Sequence, residues 1–97
     1  MQSLSVFSDS SDRGEAIVFL HANGFPPATY DSFLTDIRDV GRIDTLEHRP
    51  LWQAKAPKFM DWNVYASDAI ETLRREARGP VWLVGHSMGG AISILIA

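Results

Sequence analysis

Ninety-seven residues suit one small domain at the low end of the usual range. At 45% hydrophobic and 22% charged residues, the chain has an ordinary globular composition, neither disordered nor fibrous. Net charge is −3 with no block of basic residues, which argues against a nucleic-acid partner, and the lack of cysteine excludes disulfides, a thiol nucleophile and cysteine-bound zinc.

In chain order, strand and helix signals alternate. Leu4–Phe7 reads as a short strand, followed by a polar Ser/Asp loop over 8–14. Glu15–His21 contains Ala-Ile-Val-Phe-Leu, a continuous apolar run that suits a parallel strand covered on both faces. Pro27–Val40 places Tyr30, Phe33, Leu34 and Ile37 at i, i+3, i+4, i+7, predicting an amphipathic helix stopped by Gly41. Arg42–Glu47 is a weaker strand, with Ile43 and Leu46 its only aliphatics, and Arg49–Asp61 an irregular loop. Asp61 then reads as the N-cap of a helix over Trp62–Arg78, with Trp62, Tyr65, Ala66, Ala69, Ile70, Leu73 and Ala77 on one stripe. Arg74, Arg75 and Arg78 near its end read as solvated surface that favours the helix dipole. Pro80–Val84 is the last strand and Met88–Ala97 the start of a helix. The order β-α-β-α-β-α predicts an α/β fold: a mostly parallel sheet with right-handed crossovers and helices on both faces.

The chemistry concentrates in Gly85-His86-Ser87-Met88-Gly89-Gly90, between that last strand and last helix. A strand entering a helix through G-x-S-x-G is a nucleophile elbow, whose tight turn pushes a serine hydroxyl out above the sheet. Side chains at Gly85 and Gly89 would collide as strand and helix close, so both positions are bare. Such a window arises by chance in roughly 3% of chains this long, and the strand–helix context makes the signal strong. In parallel sheets ligands bind beyond the carboxyl ends of the strands. The turn His21-Ala22-Asn23-Gly24-Phe25-Pro26-Pro27 leaves the Glu15–His21 strand at that same edge. A glycine-bearing turn there can aim a backbone N–H over Ser87, the second donor of an oxyanion hole, the first coming from Met88.

On these motifs the chain resembles the α/β-hydrolase superfamily over residues 15–97. In many members the first loop reads His-Gly-Phe-Pro; here Asn23 takes the His place and His21 stands two residues earlier. Gly24 and Phe25 stay in register, so the resemblance implies that Phe25 supplies an oxyanion N–H alongside Met88, with Ser87 the nucleophile and Gly24, Gly85 and Gly89 structural. It further implies an acid and then a histidine after the serine, and neither residue type follows Ser87 in the ten residues to Ala97. The expectation is a single incomplete domain over 1–97, the N-terminal half of the fold, inactive alone and lacking the triad partners and the lid. Its activity would be serine hydrolysis of a carboxylic ester or related small-molecule acyl substrate. The alternatives are a non-catalytic binding protein of the same fold, or a truncated product without function.

Remaining candidates carry lesser expectations. His86 neighbours the pocket, and Trp52, after the third strand, walls the acyl or alcohol side or packs in the core. His21 hydrogen-bonds loop backbone, and His48 lies on the loop surface. Three histidines without shared spacing make no metal site, and no G-x-G-x-x-G implies a nucleotide cofactor. The uncharged stretch Gly79–Ala97 is interrupted by proline and glycines, and reads as strand plus buried helix rather than a membrane span. With no signal peptide visible in Met1–Ser5, a cytoplasmic location is the default. The Pro80–Val84 strand is expected to be an open edge beside an apolar helix, which makes the isolated chain prone to self-association. The oligomeric state is not legible.

Overall fold

The computed structural model describes residues 2–9, 15–22, 25–48, 62–77 and 79–97. Asn23, Gly24, Trp52 and the proposed cap Asp61 lie outside the described residues. Four strands, β1 (Leu4–Ser8), β2 (Glu15–Leu20), β3 (Gly41–Leu46) and β4 (Trp82–Gly85), form one sheet in the order β1-β3-β2-β4. β2 pairs in parallel with both β3 and β4, while β1 runs antiparallel along β3. This is a partial α/β fold with a mostly parallel sheet.

The apolar run of β2 is divided between two cores by the period-2 geometry of a strand. Ile17 and Phe19 join Ile43 and Leu34 under α1 (Asp31–Ile37). Val18 and Leu20 join Leu46, Tyr65, Ala66, Ala69, Met88 and Ile92 under α2 (Trp62–Glu76) and α3 (Met88–Ile96). Helices therefore cover both faces, as the alternation predicts.

Three elements differ from the sequence reading. The predicted helix over Pro27–Val40 is a 3-10 turn at Pro27–Tyr30 and then α1, which ends at Ile37. Extended Pro26 (φ −62, ψ 161) precedes Pro27 at the head of the turn, and only Leu34 of the predicted face is fully buried, so one turn of contact anchors it. The weak strand is an inner one, because its polar residues are partnered. Arg42 Nε donates to Asp44 at 3.1 Å and Thr45 Oγ1 to the Ser5 carbonyl at 3.4 Å. On α2, Trp62 is exposed at the head of the helix, whereas Thr72 is buried and donates to Gln2 and to the Asp68 carbonyl. Thr72 ties the segment before β1 to α2.

β4 has β2 as its one strand partner among the described residues. Trp82 is 61% exposed on it, and Ile94 on α3 is 78% exposed, leaving the open apolar edge that the sequence predicts. No helix of the described residues is long and apolar enough to cross a membrane.

Candidate functional site

Register places the site. Leu20 of β2 sits beside Leu46 of β3 and Gly85 of β4, so the chain leaves all three strands at one carboxyl edge. His21, His48 and His86 each follow directly or closely on one of those strand ends. Among the described residues they form no cluster able to hold a metal.

The elbow turns from β4 into α3 at Ser87. Its backbone (φ 55, ψ −116) has the one positive φ of any non-glycine residue described. Such a conformation costs on the order of 1–3 kcal/mol and persists only where the surroundings over-determine it. Here two glycines do so. A Cβ on Gly85 would overlap the backbone of Gly89 and Gly90, and one on Gly89 would overlap the carbonyls of Leu20 and His21. Only bare backbone lets α3 approach β4 and β2 this closely. Gly89 N–H donates to the His86 carbonyl at 2.9 Å and Ala91 N–H to the Ser87 carbonyl at 3.1 Å, closing the turn. The Ser87 side chain makes no cap bond to the helix, and the residue is exposed. Met88 is buried, with its N–H at the first helical position, where no intrahelical carbonyl lies four residues back.

The loop after β2 is held by polar contacts. Phe25 is 51% exposed, and its N–H, the proposed oxyanion donor, is engaged with the Ala22 carbonyl at 3.2 Å. That carbonyl also pairs with His21 Nδ1 at the shorter distance of 2.7 Å. Ala22 N–H donates to the Tyr30 hydroxyl at 3.0 Å, and this hydroxyl lies 3.0 Å from His86 Nδ1. His86 N–H in turn donates to the Leu20 carbonyl at 3.2 Å. An open cleft of about 250 Å³, lined by Phe19, Tyr30, Phe33, Val84, Gly85 and His86, opens beside the elbow.

His48 corrects the sequence reading: it is buried, not on the surface. At 1% exposure it lies against His21, ring centroids 4.3 Å apart, and stacks on Tyr65 of α2 at 5.5 Å. Its own N–H donates to His21 Nε2 at 3.0 Å, so the His21 proton sits on Nδ1, facing Ala22. Its Nε2–H donates to the His21 carbonyl at 3.0 Å, leaving a bare, buried Nδ1 without a partner among the described residues. Burial pushes the His48 imidazole down to about 4, helped by the neighbouring His21, and burial lowers His21 as well. Both rings are therefore neutral at pH 7. His21 bonds loop backbone as the sequence reading expects, and it faces away from any role as a free base.

Tyr30 and His48 are the site-edge residues that sequence reasoning missed. A phenol on an otherwise apolar helix face is a signal for Tyr30, since a buried hydroxyl needs a partner. His48 gave none: two imidazoles 27 positions apart become neighbours only through the β2–β3 register.

No protein-family model matches the chain, and no curated protein matches it in sequence. Among solved structures, the chain is similar to the NocB thioesterase domain in covalent complex with a fluorophosphonate nocardicin G analog. The TM-score is 0.65 at 23% identity, over 87% of this chain. The chain spans 37% of the length of that domain.

Proposed function

We propose that these residues carry the nucleophile of an α/β-hydrolase-type serine hydrolase acting on a carboxylic ester or thioester. One observation carries the reading: Ser87 stands exposed in a strained turn whose two glycines have no room for a side chain. Ser87 Oγ attacks the acyl carbon while a base takes its proton. The tetrahedral intermediate then collapses, and the alcohol or thiol leaves with a proton returned by that base. Water hydrolyses the resulting acyl-serine by the same steps. The reading requires a base beside Ser87 and an acid that orients it. His21 does not serve, since its Nε2 is taken by the His48 N–H and its Nδ1–H by the Ala22 carbonyl.

The developing oxyanion is met by the Met88 N–H and, after a local rotation, by that of Phe25. Rotation is cheap because the Ala22 carbonyl keeps its shorter bond from His21 when Phe25 turns away. A buried acceptor is never stranded, which would otherwise cost about 1–3 kcal/mol. The apolar cleft beside His86 suits a hydrocarbon portion of the acyl or alcohol group, and Trp52 is a candidate for a further wall. That the fold neighbour is a thioesterase domain trapped with a covalent fluorophosphonate analog supports this chemistry.

The test is hydrolysis of matched p-nitrophenyl ester and thioester substrates by the product of the uninterrupted reading frame that contains this sequence. Ser87→Ala should remove at least 10³-fold of kcat with the fold intact. Full activity in Ser87→Ala would refute the assignment. The 97-residue chain alone should show no turnover.

A further inference from the structure

We propose that Tyr30 is a positioning residue: its hydroxyl latches the oxyanion loop to the elbow and fixes the His86 imidazole as its Nε2–H tautomer. The catalytic meaning of the latch rests on the hydrolase reading above; the latch itself rests on geometry.

A hydroxyl has one proton and accepts through its oxygen. Tyr30 Oη accepts from the Ala22 N–H at 3.0 Å, and its other polar neighbour among the described residues is His86 Nδ1, also at 3.0 Å, to which the latch assigns its proton. In that assignment Nδ1 is bare and the ring of the exposed His86 carries its proton on Nε2. One phenol oxygen thus joins positions 22 and 86, at the ends of two strands. The ring that carries the oxygen is itself held. Tyr30 caps α1 with a non-helical backbone (φ −98, ψ 10), and its ring packs 4.5 Å from buried Phe19 of β2. A second ring contact, edge-on at 5.8 Å, sets it against His86.

The loop peptide that enters Ala22 is therefore gripped at its N–H by Tyr30, and the next peptide at the Ala22 carbonyl by His21. With both peptides fixed, rotation of the Phe25 N–H is the remaining adjustment needed to complete the oxyanion hole. Loosening the latch lets the loop drift relative to Ser87, and catalysis of this kind loses heavily on displacements near 1 Å. The Nε2–H of His86 becomes a fixed donor one residue from Ser87.

Tyr30→Phe deletes only the oxygen and tests the latch at both ends. By NMR, Ala22 amide exchange should rise about tenfold, while Leu34 and Ile37 amides on α1 stay protected. The His86 ring nitrogens, distinct in the wild type as bare Nδ1 and protonated Nε2, should shift toward an averaged pair. His86→Asn offers an oxygen where Nδ1 sat and should keep Ala22 protected, whereas His86→Leu should not. Unchanged Ala22 exchange and unchanged ring shifts in Tyr30→Phe would overturn the latch. Should Tyr30→Phe fail to fold, unchanged Ala22 exchange in His86→Leu would overturn it equally. Fluorophosphonate phosphonylation of Ser87 in the full reading-frame product separates the two claims. A roughly tenfold slower reaction in Tyr30→Phe supports positioning. An equal rate, despite altered exchange, overturns it. No reaction in the wild type, with the NMR changes present, overturns the hydrolase reading and leaves the latch standing.

Discussion

The two turns at the carboxyl edge of the sheet are fixed by opposite means. At the elbow, backbone meets backbone: Gly85 and Gly89 leave no room for a Cβ, and Ser87 is forced to a positive φ. At the loop after β2, side chains do the holding, with Tyr30 and His21 gripping Ala22 and His48 gripping His21. The steric device fixes one geometry and tolerates no substitution. The polar device holds a geometry that single hydrogen bonds can release, which suits the donor role proposed for the Phe25 N–H. Under the proposed function, a nucleophile that has to stay exposed and an N–H that has to arrive late call for these different solutions.

Breaking the steric side should give the largest effect. Gly89→Ala places a methyl group into the Leu20 and His21 carbonyls, and neither backbone can yield without moving β2. A loss of about 3 kcal/mol or more is expected, enough to unfold a domain of this size, with Gly89→Val worse still. Met88→Leu should cost less than about 1.5 kcal/mol, since volume is conserved and the N–H of interest is main chain. Urea or thermal unfolding would measure the ranking, and a stable Gly89→Ala chain would contradict it.

The polar side should break with acid. The neutral folded form of His48, lowered to about 4 by burial, competes with an unfolded imidazole near 6.5. The unfolded chain binds the extra proton, so stability is complete above about pH 6.5 and falls away as pH drops toward 4. His21 shifts in the same direction and adds to the loss. The His48 share is on the order of 2–3 kcal/mol. His48→Gln keeps a donor for the His21 carbonyl but cannot titrate there, so its stability should vary less between pH 7 and 4. Parallel pH profiles for the two chains would show that the buried imidazole is not the cause.

A smaller effect isolates the strain itself. Ser87→Gly removes the penalty on positive φ while leaving the glycine packing intact, and should stabilise the chain by about 1 kcal/mol after the entropy cost of a glycine. No gain, or a loss relative to Ser87→Ala, would mean that the turn is not strained.

This contrast also explains what the sequence discloses. Close backbone approach leaves a local mark, since Gly85 and Gly89 flank Ser87 within five residues, and the elbow is readable for that reason. The strands and helices follow from apolar periodicity, and the parallel order from their alternation. The latch leaves only a faint local mark, a phenol on an otherwise apolar helix face. Tyr30 looks like one more apolar position of a helix, and it meets His86, 56 positions away, only because β2 and β4 pair. His48 reads as surface for the same cause: a histidine beside Arg49 and Pro50 shows nothing of the His21 ring or of Tyr65 above it. Periodicity overstates the helix after the loop because its apolar spacing continues beyond the single turn that Leu34 anchors.

The whole functional reading turns on Ser87, held out by the elbow, as the acyl-accepting atom. Peptide mass spectrometry of the full reading-frame product after reaction with an alkyl fluorophosphonate addresses that atom itself. One phosphonyl group per chain is expected, on the peptide that contains Ser87, with no adduct in Ser87→Ala. An adduct on another residue, or a folded protein that stays unlabelled, would contradict the assignment.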